Sequence, residues 1–332
     1  MTWLNRYIKL VVASTVLLIA AGGMVTSTRS GLAVPDWPNT YGQFMFSFPF
    51  EKMVGGIFYE HGHRMIASTV GFLTIILAVW TWKADPRRWV RRLGVAALGA
   101  VILQGLLGGI TVLLLLPAPV SIGHAGLAQL FFCLTISLAL FTSPGWTKTQ
   151  TAVDDPTLRR VAAATTVMVY CQILLGATMR HTGAGLAIPD FPLAFGHLVP
   201  PYWDPKIAIH FAHRVGAATV TLLILATAGH VFYHHGRRAE LRRPAILLLL
   251  LLVLQITLGA LTVLSQKQFI INSLHVVNGA LVLVTTLVLT LRAHRARFAG
   301  SADAGSASAG SAASFAQRNP AYVPTGRRGA RA

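Results

Sequence analysis

Eight runs of mostly apolar residues divide the chain, each about the 20 residues that a helix needs to cross a bilayer. They lie near 8–27, 59–82, 93–116, 120–142, 160–180, 207–233, 244–265 and 270–292. Pro117-Ala118-Pro119 alone parts the third run from the fourth, and Ser265-Gln266-Lys267-Gln268 parts the seventh from the eighth. Each of these pairs is therefore expected as a tight helical hairpin. No proline falls in the middle of a run. Two longer segments, 28–58 and 181–206, read as loops, and the first carries Trp37, Tyr41, Phe44, Phe46, Phe48 and Phe50. Loops of this length tend to be functional, and these are expected to roof pockets. Asp36 and Asp190 sit in Pro-Asp-aromatic-Pro segments, where a short acceptor side chain forms turns.

The pattern repeats. Ser30-Gly31-Leu32-Ala33-Val34-Pro35-Asp36-Trp37-Pro38 returns as Ala184-Gly185-Leu186-Ala187-Ile188-Pro189-Asp190-Phe191-Pro192. His63-Arg64 returns as His213-Arg214, Gln104 as Gln255, Gly108-Gly109 as Gly259-Ala260, and His124 as His275. A unit of four spans has thus been duplicated. Because four is even, both copies share one orientation, as in parallel repeats about an axis along the membrane normal. The expected fold is an all-α integral membrane protein of eight transmembrane helices, arranged as two parallel-repeat four-helix bundles. Its parts are an N-terminal half (1–150), a C-terminal half (151–298) and a tail (299–332). Gly22, Gly23, Gly105, Gly108, Gly109, Gly176 and Gly259 are expected to let helices approach closely. The first run follows Arg6 and Lys9 as a signal peptide would, but its counterpart inside the chain marks it as a retained repeat element.

Composition supports the membrane assignment. The 332 residues are 54% hydrophobic and only 11% charged, with a mean hydropathy of +0.60. Soluble domains carry about 25% charged residues. The formal net charge of +18 could suggest nucleic acid, but the basic residues form short clusters between spans, so no nucleic-acid partner is expected. Lys and Arg favour one side about four to one, with Arg29, Lys52, Arg180, Lys206 and Lys267 on the sparse side. Both termini are therefore expected in the cytoplasm, in contact with the lipid bilayer of a bacterial plasma membrane. The tail, rich in Ala, Ser, Gly and Arg, reads as a disordered basic cytoplasmic segment. Cys133 and Cys171 lie inside apolar runs, so no structural disulfide is expected.

Candidate chemistry centres on histidine. His63, His124, His213 and His275 fall in the first turns of the even-numbered spans, all at one depth. Polar groups inside spans are functional candidates by default. Two imidazoles on facing helices suit a haem iron held from both sides. Zinc or copper would be left with incomplete coordination by two histidines per half. Arg64 and Arg214, directly after two of the histidines, are placed for haem propionates. The halves differ where Glu60 takes the slot of His210. One helical face joins positions i and i+3, so Glu60 would flank His63 and move protons or hold a reactive oxygen species, unless it merely pairs with Arg64. His61 faces away from His63 and suits a loop contact. His181, His197, His230, His234, His235 and His294 are expected to be solvated or interfacial.

Glu60-x-x-His63-Arg64, Gly123-His124-Ala125-Gly126, His213-Arg214, Asn272-Ser273-Leu274-His275 and the repeated loop together resemble the haem A synthase family, over roughly residues 5–292. The resemblance implies oxidation of a ring methyl of haem O to the formyl group of haem A by successive hydroxylations, supplying haem-copper oxidases. It implies that His63 and His124 flank the substrate haem O with Glu60 catalytic beside them, and that His213 and His275 bind haem b as a bis-His cofactor site. Haem O synthase and a membrane electron donor would be partners, and a homo-oligomer is left open. Some relatives carry cysteine pairs in these loops. Here 28–58 and 181–206 contain none, so a loop-disulfide step cannot apply. Two other readings stay open: a di-haem b-type electron-transfer protein, and a haem or quinone transporter.

Overall fold

The computed structural model describes residues 3–147 and 153–298; the tail 299–332 lies outside them. The described chain is helical: α1 (Trp3–Ser27), α2 (Gly56–Ala84), α3 (Arg88–Leu113), α4 (Ala118–Phe141), the short α5 (Pro144–Thr147), α6 (Pro156–His181), α7 (Pro205–His235), α8 (Ala239–Leu264) and α9 (Phe269–Ala293). All except α5 are long and apolar enough to cross a membrane. Both cysteines are free.

Helix α8 begins five residues before the apolar run and so takes Pro244 into its interior. Proline has no N–H to offer the carbonyl four residues back. That carbonyl, of Glu240, instead accepts a hydrogen bond from Arg292 Nη1 on α9. A helix that the sequence pattern starts at the proline is thus extended by a cation from its neighbour.

The two predicted hairpins are built alike. Leu115 and Leu116 adopt φ of 59° and 61°, and Gln266 and Lys267 adopt 52° and 66°. In each turn the second of these residues donates its N–H to a carbonyl five back, Leu116 to Thr111 at 2.7 Å and Lys267 to Thr262 at 2.8 Å. This closes the helix end with a Schellman-type bond. Neither turn uses glycine.

Helix neighbours follow the same order in each half. Helices α1 and α3 both pack on α2 and α4, and α6 and α8 both pack on α7 and α9. The halves meet where α9 touches α1 and α4, and where α4 touches α6. Ile8, Val11, Val70, Leu77 and Leu138 fill the first half, and Ile224, Leu248, Leu283 and Leu289 the second. Leu17, Phe72, Leu222, Leu250 and Val253 stay exposed, as expected of a surface solvated by lipid. Polar side chains join helices where apolar burial drives little association. Thr165 meets Thr227 and Thr166 meets Thr290, each at 2.8 Å. Ser27 receives Arg180 Nη2 at 2.6 Å, Ser273 Oγ at 2.9 Å and Asn272 Nδ2 at 3.2 Å, which ties α1 to α6 and α9.

Candidate functional site: two histidine pockets under repeated loops

Each long loop is folded by its own aspartate. Asp36 accepts the Tyr41 and Gly42 amides, both at 2.8 Å. Asp190 accepts the Phe195 and Gly196 amides at 2.8 and 2.9 Å. The expectation that these aspartates form turns holds. Burial opposes ionisation of Asp36, but the Gly42 and Tyr41 amides and the Arg64 guanidinium outweigh it and hold the carboxyl below its usual range. The Gly196 amide does most to lower Asp190, against a smaller effect of burial, and the Phe195 amide and Arg214 add to it.

The loops are tied to α2 and α7 by the residues beside the candidate ligands. Arg64 Nη1 donates to the Asp36 and Asn39 carbonyls at 2.7 and 3.1 Å, and Nη2 to that of Val34 at 2.9 Å. Arg214 repeats this with Leu193 at 2.7 Å, Ile188 at 3.3 Å and Asp190 at 2.5 Å. Glu60 is 3% exposed. Its Oε2 accepts the Val34 amide at 2.8 Å, and its Oε1 accepts Arg64 Nη2 at 2.6 Å. In the second half His210 Nδ1 accepts the Ile188 amide at 3.2 Å. Glu60 and His210 are thus one anchor built from two residue types. His61 also serves the loop, with Nδ1 3.0 Å from Thr40 Oγ1 and its ring against Phe48.

His63, His124, His213 and His275 stand six to eight residues into α2, α4, α7 and α9. At 1.5 Å per residue they sit equally far along their helices to within about 3 Å. His63 lies within electrostatic reach of His124, and His275 of His213. The repeat pairs the same histidines, His63 with His124 and His213 with His275.

A glycine backs each imidazole. A Cβ added at Gly22, Gly108, Gly176 or Gly259 would lie 3.1, 3.2, 3.0 or 3.1 Å from Cε1 of His63, His124, His213 or His275 respectively. These glycines make room for rings rather than for helices. Gly23 does serve helix contact, 3.6 Å from the Ser273 backbone, while Gly105 faces open space. Gly109 makes room for the first loop, since a Cβ there would meet the Trp37 indole at 2.5 Å. The first loop therefore reaches α3 beside Gly108, the glycine that backs His124.

Glutamine holds three of the four imidazoles. Gln104 Nε2 lies 3.2 Å from His124 Nε2, Gln172 Nε2 3.1 Å from His213 Nδ1, and Gln255 Nε2 3.4 Å from His275 Nε2. Each amide also donates to the backbone carbonyl of its histidine. The fourth slot holds Leu18 at the repeat position of Gln172, and only its backbone interacts with the His63 ring. Gln172 was missed from the sequence because its repeat partner is apolar, although a lone glutamine inside a span was itself a signal.

Two further groups escaped the sequence reading. Lys267 packs over Gly185; burial, then Arg180 and Arg29, hold its ammonium below the usual range. These three cations, counted only for orientation, lie within electrostatic reach of one another at Lys267, and Arg180 also reaches His275 and Lys267 reaches His210. At the opposite end of α7, His230 and His235 are not merely solvated: each Nε2 lies 2.8 Å from Asp155 Oδ2. Burial of Asp155 is outweighed by His230, the Leu158 amide and His235, which hold its carboxyl well below the usual range. His181 ends α6, partly buried and within electrostatic reach of His124. His197 is exposed as expected.

The residues fit haem on one direct observation. Nδ1 of His63, of His124 and of His275 is buried without a well-formed hydrogen bond, although the backbones of Leu18, Gln104 and Gln255 lie close to the three rings. Buried polar atoms are almost always satisfied, so under-satisfied ring nitrogens on His63, His124 and His275 fit rings that take a further ligand. Fold and site together define a multi-pass membrane protein with four histidines inside its apolar helices. The family model described as cytochrome oxidase assembly protein matches residues 5–288. A heme A synthase of Symbiobacterium thermophilum is 32% identical over 278 residues, covering 79% of this chain and 87% of that one. One of Geobacillus kaustophilus is 29% identical over 305 residues, 88% and 94% of the two chains. One of Shouchella clausii is 30% identical over 215 residues, 63% and 69%. The chain belongs to this family of cytochrome oxidase assembly proteins, the heme A synthases.

Proposed function

We propose that this protein oxidises a ring methyl of haem O to the formyl group of haem A, in the plasma membrane of a bacterium with both termini cytoplasmic. The observation that carries the reading is the duplicated histidine pair combined with one exchange, Glu60 for His210. The half formed by residues 1–150 takes haem O between His63 and His124. In the half formed by 151–298, His213 and His275 would hold haem b, which would supply electron transfer. Trp37 and the loop held by Arg64 cover the first pocket and exclude water. Glu60, hydrogen-bonded to Val34 and Arg64, holds or moves a proton beside the substrate methyl. Leu18 leaves His63 without the glutamine that orients the other three rings, which suits a pocket that must admit and release its haem. Arg64, Arg214 and the Arg29, Arg180 and Lys267 group supply positive charge for the haem carboxylates. Haem O synthase would deliver the substrate and a membrane donor the electrons.

One observation favours the electron-carrier reading. Both Glu60 oxygens are satisfied by structural partners, so the carboxylate has a role without chemistry. Supplying haem O, reductant and oxygen to the purified protein separates the two. Haem A among the extracted haems supports the synthase, and unchanged haem O beside retained haem b contradicts it.

A further inference from the structure

The end of the second half remote from the haem-ligand histidines carries a cluster that this chemistry does not use. Asp155 caps α6, its Oδ1 accepting the Leu158 amide at 2.8 Å. Its other oxygen, Oδ2, faces two imidazoles from the last turns of α7, His230 Nε2 and His235 Nε2, each at 2.8 Å. One donor atom from each of the three residues lies within 4.8 Å of the other two. The side chains are partly exposed, 18% for His230, 14% for His235 and 16% for Asp155, so an ion can reach them from water. His234 is exposed beside them, its ring centroid 4.4 Å from that of His230. His235 follows His213 by 22 residues on α7, about 33 Å along the axis. The cluster is therefore separate from the haem pockets.

We propose that Asp155, His230 and His235 bind a divalent first-row metal ion, and that Zn2+ suits the set best. Two imidazoles and a carboxylate with an open fourth position for water are a recurrent zinc ligand set. Metal–ligand distances of about 2.0–2.2 Å place tetrahedral neighbours about 3.4 Å apart. The 2.8 Å contacts need to open by only about half an ångström, which partly exposed side chains allow. The Leu158 amide fixes Oδ1 and leaves Oδ2 as a single ligand atom, the outer-shell arrangement that orients metal-binding carboxylates. The ion would join the start of α6 to the end of α7.

The test uses the haem-loaded full chain, purified without a histidine tag and stripped with a chelator. Occupying the intramembrane imidazoles with haem removes them as competing ligands. Zn2+ is titrated calorimetrically and retained metal is counted by mass spectrometry. The expected result is one ion per chain, lost in His235→Ala and bound at least tenfold more weakly in Asp155→Asn, with haem absorption unchanged. Bound Zn2+ should also raise the Tm of the parent protein and not that of the variants. If His235→Ala fails to fold, His235→Asn replaces it, since it retains a hydrogen-bond donor near Asp155 but is a poor zinc ligand. Equal retention by parent and variants overturns the proposal. So does absence of binding by the parent, which would leave a histidine–carboxylate clamp only.

Discussion

Glu60 Oε2 accepts the amide of Val34 at 2.8 Å, and His210 accepts the amide of Ile188 at the matching point of the second loop. The second half shows that a histidine ring nitrogen suffices for this anchor. The negative charge of Glu60 is therefore not needed to hold the loop. Glu60→His should leave the fold and the haem b content intact while lowering haem A formation by about 10²- to 10⁴-fold, the range of a lost acid–base group. Wild-type turnover in this variant would show that the carboxylate is structural. Glu60→Ala should in addition lower stability by about 1–3 kcal/mol, because the Val34 amide and Arg64 lose a buried partner. Extracted haems and thermal unfolding in detergent report the two effects separately.

The glycines behind the imidazoles give a second prediction. Valine at Gly176 puts side-chain atoms against a ring already 3.0 Å from an added Cβ. Overpacking costs about 1–3 kcal/mol, so Gly176→Val should weaken haem b retention by about 5- to 150-fold. Gly22→Val should leave haem b in place and lower product formation. Haem b loss in Gly22→Val with none in Gly176→Val would reverse the proposed assignment of the pockets.

Gln172 and Leu18 test what the glutamines do. Gln172→Leu removes the amide beside His213 Nδ1 and should weaken haem b binding about 10- to 100-fold, the usual cost of losing a residue that orients a ligand. Leu18→Gln should tighten haem in the first pocket and slow product release. An unchanged haem affinity in both would mean that the glutamines serve only the backbone carbonyls.

Much of this was legible in the sequence because duplication places each feature beside a copy of itself. The spans, both hairpins, the four histidines and the Glu60–His210 exchange could be read from repeat alignment and apolar runs alone. What stayed hidden depended on approach distances. Gly22 and Gly23 look equivalent in sequence, yet one backs an imidazole and the other a helix. Pro244 appeared to mark a helix start because nothing local shows that Arg292 takes up the carbonyl it frees. Asp155 lies 75 residues from His230, so pattern alone could not bring them together.

The loop aspartates set a pH limit. Both carboxyls are lower in the folded protein than the free value of about 3.9. Their contribution is therefore complete above that value and is lost as pH falls below it toward the folded values. Acidification below about pH 4 should loosen the first loop, read as a change in Trp37 fluorescence in a variant with its other tryptophans replaced. In that background Asp36→Asn should show the loosened signal already at neutral pH. A parent-like signal in Asp36→Asn at neutral pH would show that the Tyr41 and Gly42 amides do not depend on the charged form.

The central claim is a division of labour between the two histidine pairs. The most direct test is haem extraction from four single variants, His63→Ala, His124→Ala, His213→Ala and His275→Ala, isolated from cells that make haem O. Haem b and no haem A are expected from the first two, and loss of haem b from the last two. Equal loss of haem b from all four, with no haem O-derived product even in the parent protein, would contradict the claim and leave a carrier of two permanent haems.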